Sequence, residues 1–208
     1  MEPRDEEPPW EQVPEILRGF AEVDLRSCGE VTPCLAAYAG TELLCFGFVR
    51  AFAKGGHHDP IREMLAAVMA LGADHLGLSM GARIWSLDDP IPPVLEGVGD
   101  LRQRVVMVHR VDATPAAGGA ARCEAWPYDI DDGVVRWLER FAPPGPVEGW
   151  VNRSLEAAVR GRAWPAEAGH RVRGPFENCV ALGHEFVLGM AALRMLGCSE
   201  SSIVHDDR

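Results

Sequence analysis

Lysine is almost missing from this sequence. Of the 20 basic residues only Lys54 is a lysine, so the others are arginines. Many alanines and 22 glycines accompany this bias. The combination is typical of a high-GC bacterial genome, and we therefore do not interpret the arginine excess as a functional choice.

Positive charge is also in deficit, because the formal net charge of the chain is -11. Such a charge opposes general affinity for the phosphate backbone of nucleic acid and for anionic membrane surfaces. It favours solubility and, if anything, a basic partner. Nucleic-acid binding is therefore the least expected of the binding functions.

Long apolar runs and clustered cysteines are absent as well. No stretch approaches the roughly 20 apolar residues of a membrane-spanning helix, and residues 1–12 lack the basic and then apolar pattern of a signal peptide. We expect a cytoplasmic protein. The six cysteines form no Cys-x-x-Cys pair and are interpreted as reduced thiols, mostly in the core. They are Cys28, Cys34, Cys45, Cys123, Cys179 and Cys198.

The common catalytic motifs are missing too. The chain has no Walker A loop, no Gly-x-Gly-x-x-Gly and no His-Glu-x-x-His. Residues 77–81 match Gly-x-Ser-x-Gly, but they lie within a predicted strand instead of at a strand-to-helix turn, so we interpret the match as chance. We expect no cofactor.

The apolar pattern predicts two strands over 34–53 with a tight turn at Gly40-Thr41, and a helix over 61–71 capped by Asp59. Residues 75–87 alternate as one long strand. Two further strands, over 104–112 and 122–128, complete a meander. Helices are predicted over 14–20, 134–141, 148–160 and 176–196.

This order predicts an α+β fold: an antiparallel sheet, formed by a hairpin, a helix and a three-stranded meander, with a helical C-terminal extension. The first eleven residues hold five acids and three prolines, a composition typical of a disordered tail. The expected organisation is an acidic disordered tail over 1–11, an α+β domain over 12–131, a helical extension packed on it over 132–198, and a frayed tail over 199–208.

Polar clusters interrupt the predicted sheet at two places. His57 and His58 precede the helix over 61–71, and Asp88 and Asp89 follow the long strand. Two imidazoles with two carboxylates could bind a metal or exchange protons. Helix capping and strand termination explain the same residues more simply.

A basic stretch forms the second candidate, and it offers guanidinium groups and an indole to a phosphate or carboxylate partner. Plain surface solvation is the simpler interpretation. A third candidate, His184 with Glu177, is better explained as a buried, hydrogen-bonded histidine. The proposed binding residues of the basic stretch are Arg160, Arg162, Trp164, Arg171 and Arg173.

The leading hypothesis is a non-catalytic protein that binds, regulates or assembles with another protein, and that could form a homo-oligomer. Two alternatives stay open. One is a small hydrolase or metal-dependent enzyme that uses the His57-His58 and Asp88-Asp89 loops. The other is nucleic-acid binding through residues 153–173.

Overall fold

The computed structural model describes residues 8–53, 55–85, 90, 94–95, 99–113, 120–142, 149–161 and 173–197. Within this part of the chain, seven strands form one antiparallel sheet in the order β8-β7-β6-β3-β1-β2-β9. The predicted α+β fold with an antiparallel sheet is confirmed. The strands are β1 (Cys34–Ala39), β2 (Glu42–Phe48), β3 (His75–Ile84), β6 (Gln103–Asp112), β7 (Arg122–Asp131), β8 (Val134–Trp137) and β9 (Glu185–Leu188), with a separate short ribbon of β4 (Val94–Leu95) and β5 (Gly99–Asp100).

Helices cover both faces of the sheet. A 3-10 turn (Trp10–Gln12) leads into α1 (Val13–Ser27), which packs on one face. The other face carries α2, α3, α4 and α5. Their bounds are α2 (His58–Ala70), α3 (Trp150–Arg160), α4 (Arg173–Ala181) and α5 (Met190–Met195).

The inner strands are buried on both faces, as the side-chain alternation of β3 shows. Leu76 and Leu78 are fully buried under the four-helix layer, while Gly77 and Ser79 face α1. The first half of this strand therefore contributes to both cores. The predicted alternation is confirmed, although the prediction assigned it only one buried face.

Three local predictions are wrong. Residues 134–137 form strand β8 instead of a helix, since Asp132 and Gly133 both have positive φ and make the tight turn of a hairpin. The predicted helix over 176–196 is divided into α4, β9 and α5. Asp59 lies in the first turn of α2, and His57 holds the N-cap position without a side-chain hydrogen bond.

Gly77 sets the distance between α1 and the sheet. A Cβ atom at this position would lie 2.9 Å from Val13 Cγ1 and 3.4 Å from Leu17 Cδ1. Both partners are fully buried, so neither can move aside without opening the core. Glycine is therefore required here for close packing rather than for backbone flexibility.

Replacing Gly77 with alanine should lower the free energy of unfolding by about 1–3 kcal/mol, because the added methyl group overpacks the interface between α1 and β3. Urea denaturation followed by circular dichroism measures the change. The matched control is Gly19→Ala in the middle of α1, where a Cβ atom meets nothing within 4 Å. This control should instead raise the free energy of unfolding by about 0.5–1 kcal/mol; equal effects of the two substitutions would contradict the packing argument.

Candidate functional site

The histidine pair predicted as a catalytic candidate lies at the start of α2. The ring centres of His57 and His58 are 4.4 Å apart, and the ring of His58 lies 4.2 Å from that of Trp150, tilted by 32°. Partial burial, together with the neighbouring His58, lowers the pKa of His57. Asp88 and Asp89 lie outside the described residues, so the expected meeting of the two loops stays a prediction.

The basic stretch is only partly described. Arg160 is exposed and pairs with Glu156 one turn earlier on α3, at 3.5 Å. Arg173 donates two hydrogen bonds to the carbonyl oxygen of Leu196, at 3.2 and 2.7 Å, and so joins the start of α4 to the end of α5. Arg162, Trp164 and Arg171 lie outside the described residues, and a binding role for the stretch stays a prediction.

His184 is a buried, hydrogen-bonded histidine, as predicted, although it lies in the turn after α4 and not in a helix with Glu177. Its Nδ1 accepts a hydrogen bond from the backbone N–H of Arg50 at 3.2 Å, so Nε2 carries the proton and donates to Glu63 at 2.9 Å. Arg50 holds the same carboxylate through two bonds of 2.8 and 2.9 Å. These contacts fix the orientation of the imidazole ring of His184 within the fold.

A second buried histidine, His75, lies between two carboxylates. Its Nδ1 is 2.6 Å from Asp74 and its Nε2 is 3.2 Å from Asp112. Trp10 packs edge-on against its ring, at 5.2 Å, and also against Tyr38. The cluster fixes the segment that leads into α1 against the ends of β3 and β6.

The outer flank of α1 carries a ladder of alternating arginine and tryptophan side chains. The guanidinium of Arg18 lies 5.6 Å from the ring centre of Trp126 and 5.1 Å from that of Trp137. The guanidinium of Arg140, in the segment after β8, lies 5.1 Å from the ring centre of Trp126. The indole N–H of Trp126 is buried without a hydrogen-bond partner among the described residues. Its ring is therefore held by packing and by cation–π contacts.

Carboxylates complete the ladder. Glu22 accepts hydrogen bonds from the indole of Trp137 at 2.8 Å and from Arg18 at 2.9 Å; the bond from Trp137 is the main cause that lowers the pKa of Glu22. Arg140 reaches Glu15 at 3.3 Å and Glu124 at 3.7 Å. The ladder thus joins α1 to the outer strands β7 and β8.

At the N-terminal end of the ladder, the surface opens into a groove of about 460 Å³ between α1 and β7. We call it the α1–β7 groove. Phe141 and Arg140 are 43% and 58% exposed on its wall, so the wall presents an apolar ring and a cation to solvent. The lining residues are Glu11, Pro14, Glu15, Arg110, Glu124, Arg140, Phe141 and Ala142.

No pattern in the sequence predicts this groove. Its residues come from four separate parts of the chain, at the start of α1, in β6, in β7 and after β8. The sequence places Glu11 in the predicted tail and Glu15 in a short predicted helix, with nothing to connect them to β7. The available signal was the Asp132-Gly133 hairpin turn, which brings Arg140 and Phe141 back alongside β7.

The contact of Glu63 with Arg50 and His184 should depend on pH. The hydrogen bond from Arg50 is the main cause that lowers the pKa of Glu63 to about 2. A carboxyl group whose pKa is lowered by folding stabilises the fold above its unfolded pKa, and this contribution is lost as the pH falls towards the folded pKa. Glu63→Gln should therefore cost about 1–3 kcal/mol near neutral pH, and the difference from the wild type should shrink between about pH 4.5 and pH 2.

Chemical unfolding at a series of pH values measures this difference. The matched control is Glu177→Gln on α4, since Glu177 is exposed and forms no ion pair within the described residues. This substitution should change the free energy of unfolding by less than about 0.5 kcal/mol. A pH-independent difference for Glu63→Gln would contradict the assigned contacts.

Within the described part of the chain, no group of three or more His, Cys, Asp or Glu residues is placed to hold a metal ion. None of the helices described is long and apolar enough to cross a membrane.

Comparison with protein-family models, with curated proteins and with solved structures finds no match.

Proposed function

We propose that this chain is a non-catalytic binding component that holds a segment of a partner polypeptide in the α1–β7 groove. The observation that carries the proposal is the groove itself, whose volume of about 460 Å³ is in the range of roughly 300–1,000 Å³ typical of ligand sites.

The wall of the groove has the composition that protein interfaces favour. Aromatic residues and arginine are enriched in the residues that contribute most to binding. Phe141 and Arg140 are such residues, and both are exposed in the groove. A partner that covers Phe141 gains the free energy of removing an apolar ring from water.

The ion pair between Arg140 and Glu15 in the groove can be broken at a small cost in free energy. Arg140 and Glu15 are both more than half exposed where they pair, and exposed ion pairs contribute only about 0–1 kcal/mol. Either group can therefore turn to an opposite charge on a partner. Glu124 has a different role, because it is held at 2.7 Å by Arg110 and keeps the floor of the groove fixed.

Photo-crosslinking in the native host tests the proposal. A crosslinking amino acid at Ala142 lies in the groove, whereas one at Ala157 lies exposed on α3, across the sheet. We expect a discrete crosslinked polypeptide from position 142 that position 157 does not give. The same product from both positions, or none from position 142, would contradict the proposal.

Replacing Phe141 with serine should weaken this partner about tenfold, because roughly 1–2 kcal/mol of apolar burial is lost. The matched control is Leu138→Ser. Leu138 is 41% exposed in the same segment, close to the 43% of Phe141, but it does not line the groove. Titration of the purified partner by calorimetry measures both variants; an equal loss of affinity in the two would show that the groove is not the binding surface.

A further inference from the structure

A narrow cavity of about 50 Å³ lies next to the α1–β7 groove. Arg110 lines both spaces, so one side chain separates the cavity from the groove. A space of this size is too small for a whole ligand but large enough for one small polar group, since a water molecule takes up about 30 Å³ in the liquid. The cavity is lined by Trp10, Arg110, Val111, Asp112, Ala120 and Arg122.

Two guanidinium groups meet at this cavity. Arg110 on β6 and Arg122 on β7 lie directly opposite each other in the strand register, so their side chains share the face of the sheet that carries α1. Like charges at directly opposite positions are destabilising. Negative charge nearby, from the protein or from a ligand, therefore stabilises the pair.

Among the described residues, a carboxylate pairs with only one of these two arginines. Arg110 pairs with Glu124 at 2.7 Å, and the nearby Asp112 already faces His75 at 3.2 Å. Arg122 is exposed and forms no ion pair with any residue in the described part of the chain. The loop between the two strands, residues 114–119, contains no acidic residue in its sequence that could supply a carboxylate.

We infer that this cavity binds a carboxylate of the partner polypeptide, either its C-terminal group or an acidic side chain. The inference rests on the proposed function, and it names the chemical group of the bound segment that the cavity recognises. A carboxylate is planar and small, and arginine forms charge-assisted, often bidentate hydrogen bonds with it. Trp10 forms an apolar wall on one side of the cavity.

The test uses a probe that does not require the partner. N-acetylglycine presents one carboxylate, and N-acetylglycinamide is its uncharged match. The full chain, labelled with nitrogen-15, is titrated with each compound, and the side-chain Nε–Hε signals of its arginines are followed. We expect saturable shifts of the Arg110 and Arg122 signals with N-acetylglycine and none with the amide.

Replacing Arg122 with glutamine should weaken the binding of N-acetylglycine about tenfold, because a charge-assisted bond contributes on the order of 1.5 kcal/mol. Arg136→Gln is the matched control, since Arg136 is an exposed arginine on the neighbouring strand β8 and lies outside the cavity. Unchanged affinity in Arg122→Gln, or an equal loss in Arg136→Gln, would overturn the inference.

The acidic residues at the start of the chain are a second source of carboxylates. A full-length variant in which Glu2, Asp5, Glu6 and Glu7 are changed to their amides separates the two sources. Unchanged affinity for N-acetylglycine supports an external carboxylate. Higher affinity would show that these residues compete for the cavity, and it would overturn the assignment to a partner.

The probe also separates this inference from the proposed function. If N-acetylglycine does not bind but position 142 still gives the crosslinked polypeptide, the carboxylate site is rejected and the proposed function is retained. Conversely, specific binding of the probe without any crosslinked polypeptide would reject the proposed function and retain the carboxylate site.

Discussion

The structure depends on one close contact, that of α1 with β3 at Gly77. The buried side chains of Val13 and Leu17 lie where a larger residue at position 77 would place its Cβ atom. This contact brings the helix onto the inner strands and fixes its axis relative to them. Because Trp10, Glu11 and Glu15 belong to the first turns of the same segment, their positions follow from it.

The groove is a consequence of where α1 lies. The helix packs on the inner strands, and its outer flank contacts the outer strands, with Arg18 and Glu22 in contact with Trp137 of β8. Beside its first turn, a space remains between the helix and β7, lined by Pro14, Glu124 and Phe141. A sheet of seven strands is wider than one helix, and the space that remains is the candidate site.

Much of the fold could be predicted from local patterns. The alternation of β3, the turn at Gly40 and the apolar stripe of α2 each depend on neighbouring residues alone, and each was recognised. The strand β8 was missed because its four residues fit a helical spacing equally well. The decisive signal was the pair Asp132-Gly133, whose positive φ angles belong to a hairpin.

The candidate site was much harder to predict. Arg110, Glu124 and Arg140 come together only through strand pairing, and no spacing within one segment connects them. His57 and His58 drew attention because adjacent histidines are conspicuous in a sequence, yet His58 packs against Trp150 from α3. A histidine of structural importance, His75, passed unnoticed because its partner Asp112 lies in another strand.

The edge strand β9 has a consequence for the time at which the protein can complete its fold. It pairs with β2, and His184 just before it bonds Glu63, 121 residues earlier. During synthesis on the ribosome, the strands from β1 to β8 emerge first and can pair with one another. The β2 edge of the sheet then remains uncovered until β9 has been translated, so a chaperone or a nascent partner would meet β2 before β9 does.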